Sequence, residues 1–165
     1  GESNAEVRAE QQRLIFPRLR SEAFPGGGAA DAILLAGDLN FDAACEAEGA
    51  PIAEDGRVLD AWPLLRPGDP GHTEDTELNL MMKFRQQGKR KQVRYDRVLL
   101  LAPEDAGAPD VRGRSGPASP ARAPGGGLSC SPVRTELLGV APLGGDKQVW
   151  PSDHFGLVAC WAIQE

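Results

Sequence analysis

The chain has few cysteines, no long apolar segment and no internal repeat, and these absences narrow its class. No apolar run approaches the ~20 residues that cross a bilayer, and the first residues are polar, unlike a signal peptide. The three cysteines are widely spaced without a CxxC pair, so neither a disulfide framework nor a zinc site is indicated. We therefore expect a soluble protein with one core, in a reducing compartment and without a membrane partner.

Positive charge is concentrated in one segment of a chain that is acidic as a whole. The formal net charge of the 165 residues is -6, which argues against a surface that is basic all round, as non-specific nucleic-acid binders commonly have. Between Lys83 and Arg97, however, seven basic residues stand against the single acid Asp96. This segment has the charge to meet a polyanion, although a solvated loop with scattered Lys and Arg has the same pattern.

The first part of the chain has the composition of an amphipathic helix. Residues 2–24 are rich in Ala, Glu, Gln, Arg and Leu. Pro17 predicts a kink or an end within that helix, because proline lacks an amide hydrogen and clashes with the preceding turn. The apolar residues near helical spacing are Val7, Leu14, Ile15 and Leu19.

Later apolar runs have the length of strands, and one long segment has almost none. Segment 58–65 fits either a strand or a short helix. Residues 103–132 are dominated by Pro, Gly, Ala, Ser and Arg, which predicts a mobile low-complexity insertion within one catalytic domain. The runs read as strands are 32–36, 93–101, 133–140 and 155–163.

Three short polar clusters lie at the ends of these runs, which is the pattern of an α/β sandwich with a site at one edge. They are GDLN at 37–40, RYDR at 94–97 and SDH at 152–154. Phosphodiester hydrolysis needs a group that activates water, a donor for the charge on the phosphoryl oxygens, and commonly a cation held by carboxylates. Asp38, Asn40, Asp153 and His154 supply these types, and Asp96 is available to orient the imidazole.

Each cluster alone has an ordinary structural explanation. GDLN fits a strand-to-turn junction closed by an Asx turn, and a histidine at a strand start is often merely hydrogen-bonded. Tyr95 and Asp96 also fit a core aromatic and a surface pair. Their joint occurrence, each attached to an apolar run, favours one site.

These motifs resemble, in order, the last three motifs of the endonuclease/exonuclease/phosphatase family: GDLN at 37–40, YDRVLL at 95–100 and PSDHFGL at 151–157. The resemblance implies a four-layer α/β sandwich, of which this chain would be the C-terminal portion. Within the family, DAW at 60–62, PGDPGHTEDT at 67–76 and Asn79 are most similar to tyrosyl-DNA phosphodiesterases of the second type, particularly plant and algal ones.

The resemblance also implies roles for individual residues. Asp38 would activate the attacking water, Asn40 would hold water or phosphate, and His154, oriented by Asp96, would stabilise the phosphate in the transition state. Asp153 would lie beside a Mg²⁺ ion, for which Mn²⁺ could substitute. The positions matching those that line the DNA 5′ end are Ser3, Thr73 and Tyr95.

Two departures from the family pattern affect the metal and the substrate. Glu2-Ser3 resembles the end of the family's His-Leu-Glu-Ser element. The family's metal-binding Glu and an early Asn lie on strands before that element, so the principal metal ligand is not expected within these residues. Animal members have Trp where this chain has Glu74, and Arg where it has Phe41-Asp42. The DNA contacts are therefore expected to differ.

The implied function is magnesium-dependent hydrolysis of 5′-phosphotyrosyl protein–DNA bonds in DNA repair, by an enzyme that is monomeric when complete. The resemblance implies a nuclear location, with the cytoplasm as the alternative. An abasic-site nuclease, a messenger-RNA deadenylase and a phosphoinositide phosphatase are alternatives on the same fold. A catalytically inactive fragment that acts as a binding module is an alternative of another class.

Overall fold

The computed structural model describes residues 4–23, 32–42, 44–102, 129–144 and 149–164. These residues contain four helices and seven strands. The helices are α1 (Ala5–Ala23), α2 (Glu46–Glu54), α3 (Ala61–Leu65) and α4 (Leu80–Arg85). The strands are β1 (Ile33–Asp38), β2 (Val58–Asp60), β3 (Glu74–Asp75), β4 (Gln92–Val93), β5 (Asp96–Leu101), β6 (Ser129–Leu138) and β7 (Gly156–Gln164).

The described strands form three antiparallel sheets. In the first sheet, β5 lies between β1 and β2, and the β1–β5 register runs from Ile33 opposite Leu101 to Asp38 opposite Asp96. The second sheet pairs β3 with β4, and α4 lies between these two strands in the sequence. The third sheet is the long β6–β7 pair. Because the first polar cluster ends β1 and the second begins the antiparallel strand β5, the register places these two clusters at one edge of the first sheet. The third cluster precedes β7, which belongs to another sheet.

A small apolar core joins α1 to the first sheet. Phe16 packs against Val58, Leu99 and Leu101, and all four side chains are buried. Burying an aliphatic or aromatic side chain of this size is worth about 1.5–3 kcal/mol. Further partly buried residues that pack against this core are Leu19, Ile33, Leu35, Leu39 and Ile52.

The predicted apolar face of the first helix is wrong at three of its four residues. Leu19 packs against the core, but Val7, Leu14 and Ile15 are exposed. The helix instead buries a stripe that mixes small, polar and aromatic residues, and its polar members find partners across the interface. The stripe consists of Ala5, Ala9, Gln12, Phe16 and Arg20.

Two of those polar residues explain how the stripe is stabilised. Gln12 donates to the carbonyl of Glu48 at 3.0 Å, and Arg20 donates to the carbonyl of Ala102 at 2.9 Å and to Asp55 at 2.5 Å. Burying polar groups costs little when their hydrogen bonds are remade inside the protein. A count of apolar residues alone therefore selects the wrong face.

The predicted break at Pro17 is also wrong, because α1 continues through it to Ala23. Pro17 is exposed, so water can reach the carbonyl that loses its usual donor. Phe16 and Arg20 on either side are buried and fixed by packing and hydrogen bonds. Tertiary contacts thus outweigh the local cost of the proline.

The strand predictions are confirmed with changed boundaries, except that the run 93–101 is divided between β4 and β5, which belong to different sheets. Segment 58–65 contains both β2 and α3, so both alternatives for it are realised. The run 32–36 becomes β1, but Leu34 is half exposed, so the strand is not buried on both faces. Strand β6 begins at Ser129, which places the last four residues of the expected insertion in a sheet. Residues 103–128 of that segment lie outside the described residues.

Three elements were not predicted from the sequence: α2, β3 and α4. Helix α2 contains Gly49 and Pro51, which both disfavour a helix, and it is held by its contact with α1. No helix among the described residues is both long enough and apolar enough to cross a membrane.

Candidate active site

The register of β1 against β5 brings the first two polar clusters together. Asp38 lies directly opposite Asp96, and such paired residues project to the same face of a sheet. Beyond the last pair, the amide of Leu39 donates to the carbonyl of Tyr95 at 3.1 Å, which extends the contact past the strand end. The predicted meeting of the GDLN and RYDR clusters is therefore present.

The GDLN turn presents Asp38 and Asn40 to solvent. The amide of Asn40 donates to Asp38 Oδ1 at 2.8 Å, which is the Asx turn expected for this sequence. Asn40 has a φ of 53°, in the left-handed region that asparagine tolerates better than most residues. Both residues are exposed, so the turn holds a carboxylate and an amide at the mouth of the sheet.

His154 is oriented by two neighbours from the start of β5. Its Nδ1 lies 2.9 Å from Asp96 Oδ2, and its ring stacks on Tyr95 with a centroid distance of 6.0 Å and an interplanar angle of 21°. A carboxylate at Nδ1 favours the tautomer that carries its hydrogen there and leaves Nε2 for another partner. Asp38 and His154 therefore lie at one edge, on either side of Asp96, which faces the first across the strands and binds the second.

Thr73 holds the two halves of this arrangement in place. Its hydroxyl accepts hydrogen bonds from the amides of Tyr95 at 3.0 Å and Asp96 at 3.1 Å, and its carbonyl accepts from the amide of Phe155 at 2.7 Å. Thr73 is fully buried. Thr73 therefore holds these two segments together from inside the fold, and its expected contact with the DNA 5′ end stays a prediction.

Asn79 similarly supports the SDH loop. Its Nδ2 donates to the carbonyl of Ser152 at 2.9 Å, while its Oδ1 accepts from the amide of Met82 at the start of α4. Asn79 is fully buried. Its side chain therefore ties the position of His154 to α4, 73 residues away along the chain from Ser152.

A buried acid next to His154 was missed as a site residue. Glu74 is almost completely buried, and its Oε2 lies 2.6 Å from Lys91 Nζ and 3.9 Å from His154 Nε2. Its other oxygen accepts from Gln86 at 2.6 Å. The only sequence signal was that Glu74 replaces the Trp of the animal members.

The basic segment does not form one continuous binding surface. Arg94 and Arg97 are buried, and their guanidinium groups donate to Asp60 Oδ2 at 2.8 Å and 2.6 Å. Burial, together with the charge of Arg94, lowers the pKa of Arg97 to about 10 in spite of Asp60, so Arg97 stays charged at neutral pH. Two of the seven predicted cations are therefore structural.

Asp153 is the expected metal ligand, and it lies on the exposed side of the loop. Its pKa is lowered by a hydrogen bond from the hydroxyl of Ser152, which stabilises the carboxylate. Arg85 Nη1 lies 3.9 Å from its Oδ2. Within the described ranges no three His, Cys, Asp or Glu side chains come together as a metal site, so these residues do not by themselves fit a complete Mg²⁺ site.

The structure thus brings together Asp38, Asn40, Tyr95, Asp96 and His154, with Asp153 next to His154 in the same loop. Ser3 lies outside the described residues. Of the three tryptophans, Trp62 and Trp150 are buried and Trp161 is partly buried.

The similarity of this chain to known proteins is found in its structure and not in its sequence. No family model matches the sequence, and no curated protein matches it. A crystal structure of D. rerio TDP2 (tyrosyl-DNA phosphodiesterase 2) complexed with single-strand DNA product matches with a TM-score of 0.61 and 18% identity, over 98% of this chain and 52% of that one.

Two further TDP2 structures give similar values. A humanized D. rerio TDP2 with 14 mutations has a TM-score of 0.56 and 20% identity, and covers 100% of this chain and 51% of its own. Truncated Caenorhabditis elegans TDP2 has a TM-score of 0.56 and 17% identity, over 98% of this chain and 49% of that one. This chain therefore spans about half the length of these structures, and over that length it has their α/β fold, of the endonuclease/exonuclease/phosphatase type.

Proposed function

We propose that this chain is part of a phosphodiesterase that hydrolyses the bond between a protein tyrosine and a DNA 5′ phosphate. The observation that carries the proposal is the pairing of His154 Nδ1 with Asp96, at the edge where Asp38 lies opposite Asp96. An oriented imidazole next to an exposed carboxylate supplies a donor and a base for attack on a phosphoryl group. The TDP2 structures of similar fold support the choice of substrate class.

Three residues of this chain have separate roles in the proposed reaction. Asp38 accepts a proton from the attacking water as its oxygen bonds to phosphorus. The bond from phosphorus to the tyrosine oxygen breaks, which leaves a 5′ phosphate on the DNA and a free tyrosine side chain on the protein. As an imidazolium, with its Nδ1 hydrogen on Asp96, His154 donates from Nε2 to the phosphoryl oxygens, where the negative charge grows, and Asn40 donates to them from its side-chain amide.

We propose that the complete enzyme depends on Mg²⁺ or Mn²⁺ and acts in the nucleus as a monomer. A hard cation of this kind needs more oxygen ligands than Asp38 and Asp153 provide, so part of its site must come from outside the described residues. The particular likeness to plant and algal members remains a prediction from the sequence motifs.

The test uses a 5′-phosphotyrosyl oligonucleotide with the chain alone and with a completed domain. We define the completed domain as this chain joined to the other half of a TDP2-type fold. We expect no turnover by the chain alone, and turnover by the completed domain only with Mg²⁺ or Mn²⁺. Full activity of the 165-residue chain by itself would overturn the requirement for a second half.

A substrate panel separates this function from others on the same fold. The panel contains an abasic-site duplex, a polyadenylated RNA and a phosphoinositide. We expect the completed domain to prefer the phosphotyrosyl oligonucleotide over all three. If the completed domain prefers another substrate of the panel, the assigned site stands and the proposed substrate is wrong. If it binds DNA but hydrolyses none of the substrates, it is a binding module.

A further inference from the structure

The proposed reaction leaves one buried charge unused. Glu74 is 1% exposed, although its Oε2 lies 3.9 Å from His154 Nε2. Burying a carboxylate is costly unless partners replace its water. Here Lys91 Nζ lies 2.6 Å from Oε2, and Gln86 donates to Oε1 at 2.6 Å.

Lys91 connects Glu74 to the ring on which His154 stacks. Its Nζ lies 4.9 Å from the centroid of the Tyr95 ring, within the range of a cation–π contact. Tyr95 in turn stacks on His154 at 6.0 Å. Glu74, Lys91, Tyr95 and His154 therefore form a closed loop of contacts, in which moving one member displaces the next.

The charges within this loop allow an anionic substrate to approach. Burial alone would lower the pKa of Lys91, but the hydrogen bond and charge of Glu74 raise it, so the ammonium group stays protonated. The ammonium group offsets the negative charge of Glu74 close to His154 Nε2. Glu74 itself has almost no exposed surface, so any effect on substrate must pass through its neighbours.

We propose that Glu74 is a positioning residue, which holds Lys91 on the Tyr95 ring and thereby fixes the plane of the His154 imidazole for a phosphate oxygen at Nε2. This inference rests on the proposed function for its consequence in catalysis. The structural part of the proposal, that Glu74 fixes the orientation of the His154 ring, does not depend on catalysis and is tested separately.

The geometric test is the NMR spectrum of the aromatic side chains in the 165-residue chain. We expect Glu74→Gln to shift the ring signals of both Tyr95 and His154, because their stack loses its support. Glu77→Gln is the control, because Glu77 is exposed on the same segment and its carboxylate pairs with the exposed Lys83 at 3.4 Å, away from Tyr95 and His154. Unchanged Tyr95 and His154 signals in folded Glu74→Gln would overturn the proposal.

A second variant covers the case in which Glu74→Gln does not fold. Lys91→Met removes the same link from a side chain that is one-third exposed, so the core is less disturbed. We expect it to shift the same two ring systems. If Lys91→Met is folded and leaves both unchanged, Glu74 does not act through Lys91 and the proposal fails.

The kinetic test uses the completed domain and the phosphotyrosyl oligonucleotide. We expect Glu74→Gln to lower kcat about 10-fold or more with KM within about twofold, because misplacing a catalytic group affects the transition state more than substrate binding. If the wild type is active and Glu74→Gln matches it, the positioning role is overturned. If the wild type is inactive on every phosphodiester, the proposed function fails, and the NMR result still decides the geometry.

Discussion

Two charged clusters arise from adjacent residues of one segment, and their surroundings are opposite. Arg94 and Arg97 turn inward to Asp60, and all three side chains are nearly excluded from water. Asp96 pairs with His154, and each of these side chains keeps more than a fifth of its surface exposed. The side chains of the first cluster are enclosed by their own partners, whereas those of the second are partly exposed at the edge of the sheet.

The difference shows what separates a structural charge from a chemical one in this fold. Asp60 accepts from two guanidinium groups and also from the amide of Trp62 at the start of α3, so its oxygens have several donors. Asp96 uses one carboxylate oxygen on His154 at the open edge. Removing a member of the closed cluster should therefore affect folding, and removing a member of the open one should affect reaction.

The largest expected effect on stability comes from breaking the closed cluster. Asp60→Ala would leave two buried guanidinium groups without their carboxylate and remove the cap of α3. Such a change typically costs about 3–5 kcal/mol. Urea unfolding of the variant measures the loss, and a cost below about 1 kcal/mol would show that water or other groups already serve these arginines.

A smaller effect is expected where Thr73 joins the open cluster to the rest of the fold. Thr73→Val keeps the shape of Thr73 and removes the acceptor of the Tyr95 and Asp96 amides. Leaving buried donors unpaired costs about 1–3 kcal/mol. Urea unfolding measures this cost, with Thr73→Ser as the control because it keeps the hydroxyl, and equal stability of the two variants would contradict the assigned role.

A pH-dependent effect is expected at a third charged pair, Arg20 and Asp55. Burial alone would raise the pKa of Asp55, but hydrogen bonds from Arg20 and from the amide of Arg57 hold it below its ordinary value of 3.8. Its contribution is therefore complete above about pH 4 and is lost as the pH falls through the lowered value. Thermal unfolding should be followed between pH 6 and about pH 2. The wild type should lose more stability over this range than Asp55→Asn, and an identical loss in both proteins would contradict the prediction.

The smallest effect is expected at the exposed end of the basic segment. Lys83 pairs with Glu77 at 3.4 Å, and both side chains are nearly half exposed. Exposed pairs contribute about 0–1 kcal/mol. Lys83→Gln should therefore leave urea unfolding within about 0.5 kcal/mol of the wild type, and a larger loss would remove the distinction between exposed and buried charges drawn above.

The sequence predicted the open cluster better than the closed one. GDLN, YDRVLL and SDH each adjoin an apolar run, and strand pairing then brings their ends together. Nothing local distinguishes Arg94 or Arg97 from Lys89, because their burial depends on Asp60, more than 30 residues away. The same limit applies to Glu74, whose closeness to His154 depends on the packing of three separate segments.

The helices show the other limit of local patterns. The apolar spacing in α1 favoured Val7 and Leu14, but the fold buries Gln12 and Arg20, since distant carbonyl and carboxylate groups accept their hydrogen bonds. Helix α2 forms in spite of an internal proline, because α1 packs against it. Local propensity is outweighed in both cases by contacts with another element.

The central claim, that the open edge is a phosphodiesterase site, is tested most directly by single-turnover hydrolysis of a 5′-phosphotyrosyl oligonucleotide by the completed domain and its Asp38→Asn variant. Asn keeps the shape of Asp38 but cannot accept the proton of the attacking water. We predict a loss of at least about 100-fold, equivalent to about 2.7 kcal/mol of barrier, with urea stability and DNA binding unchanged and Glu77→Gln fully active. Hydrolysis by Asp38→Asn within about threefold of the wild type would contradict the claim.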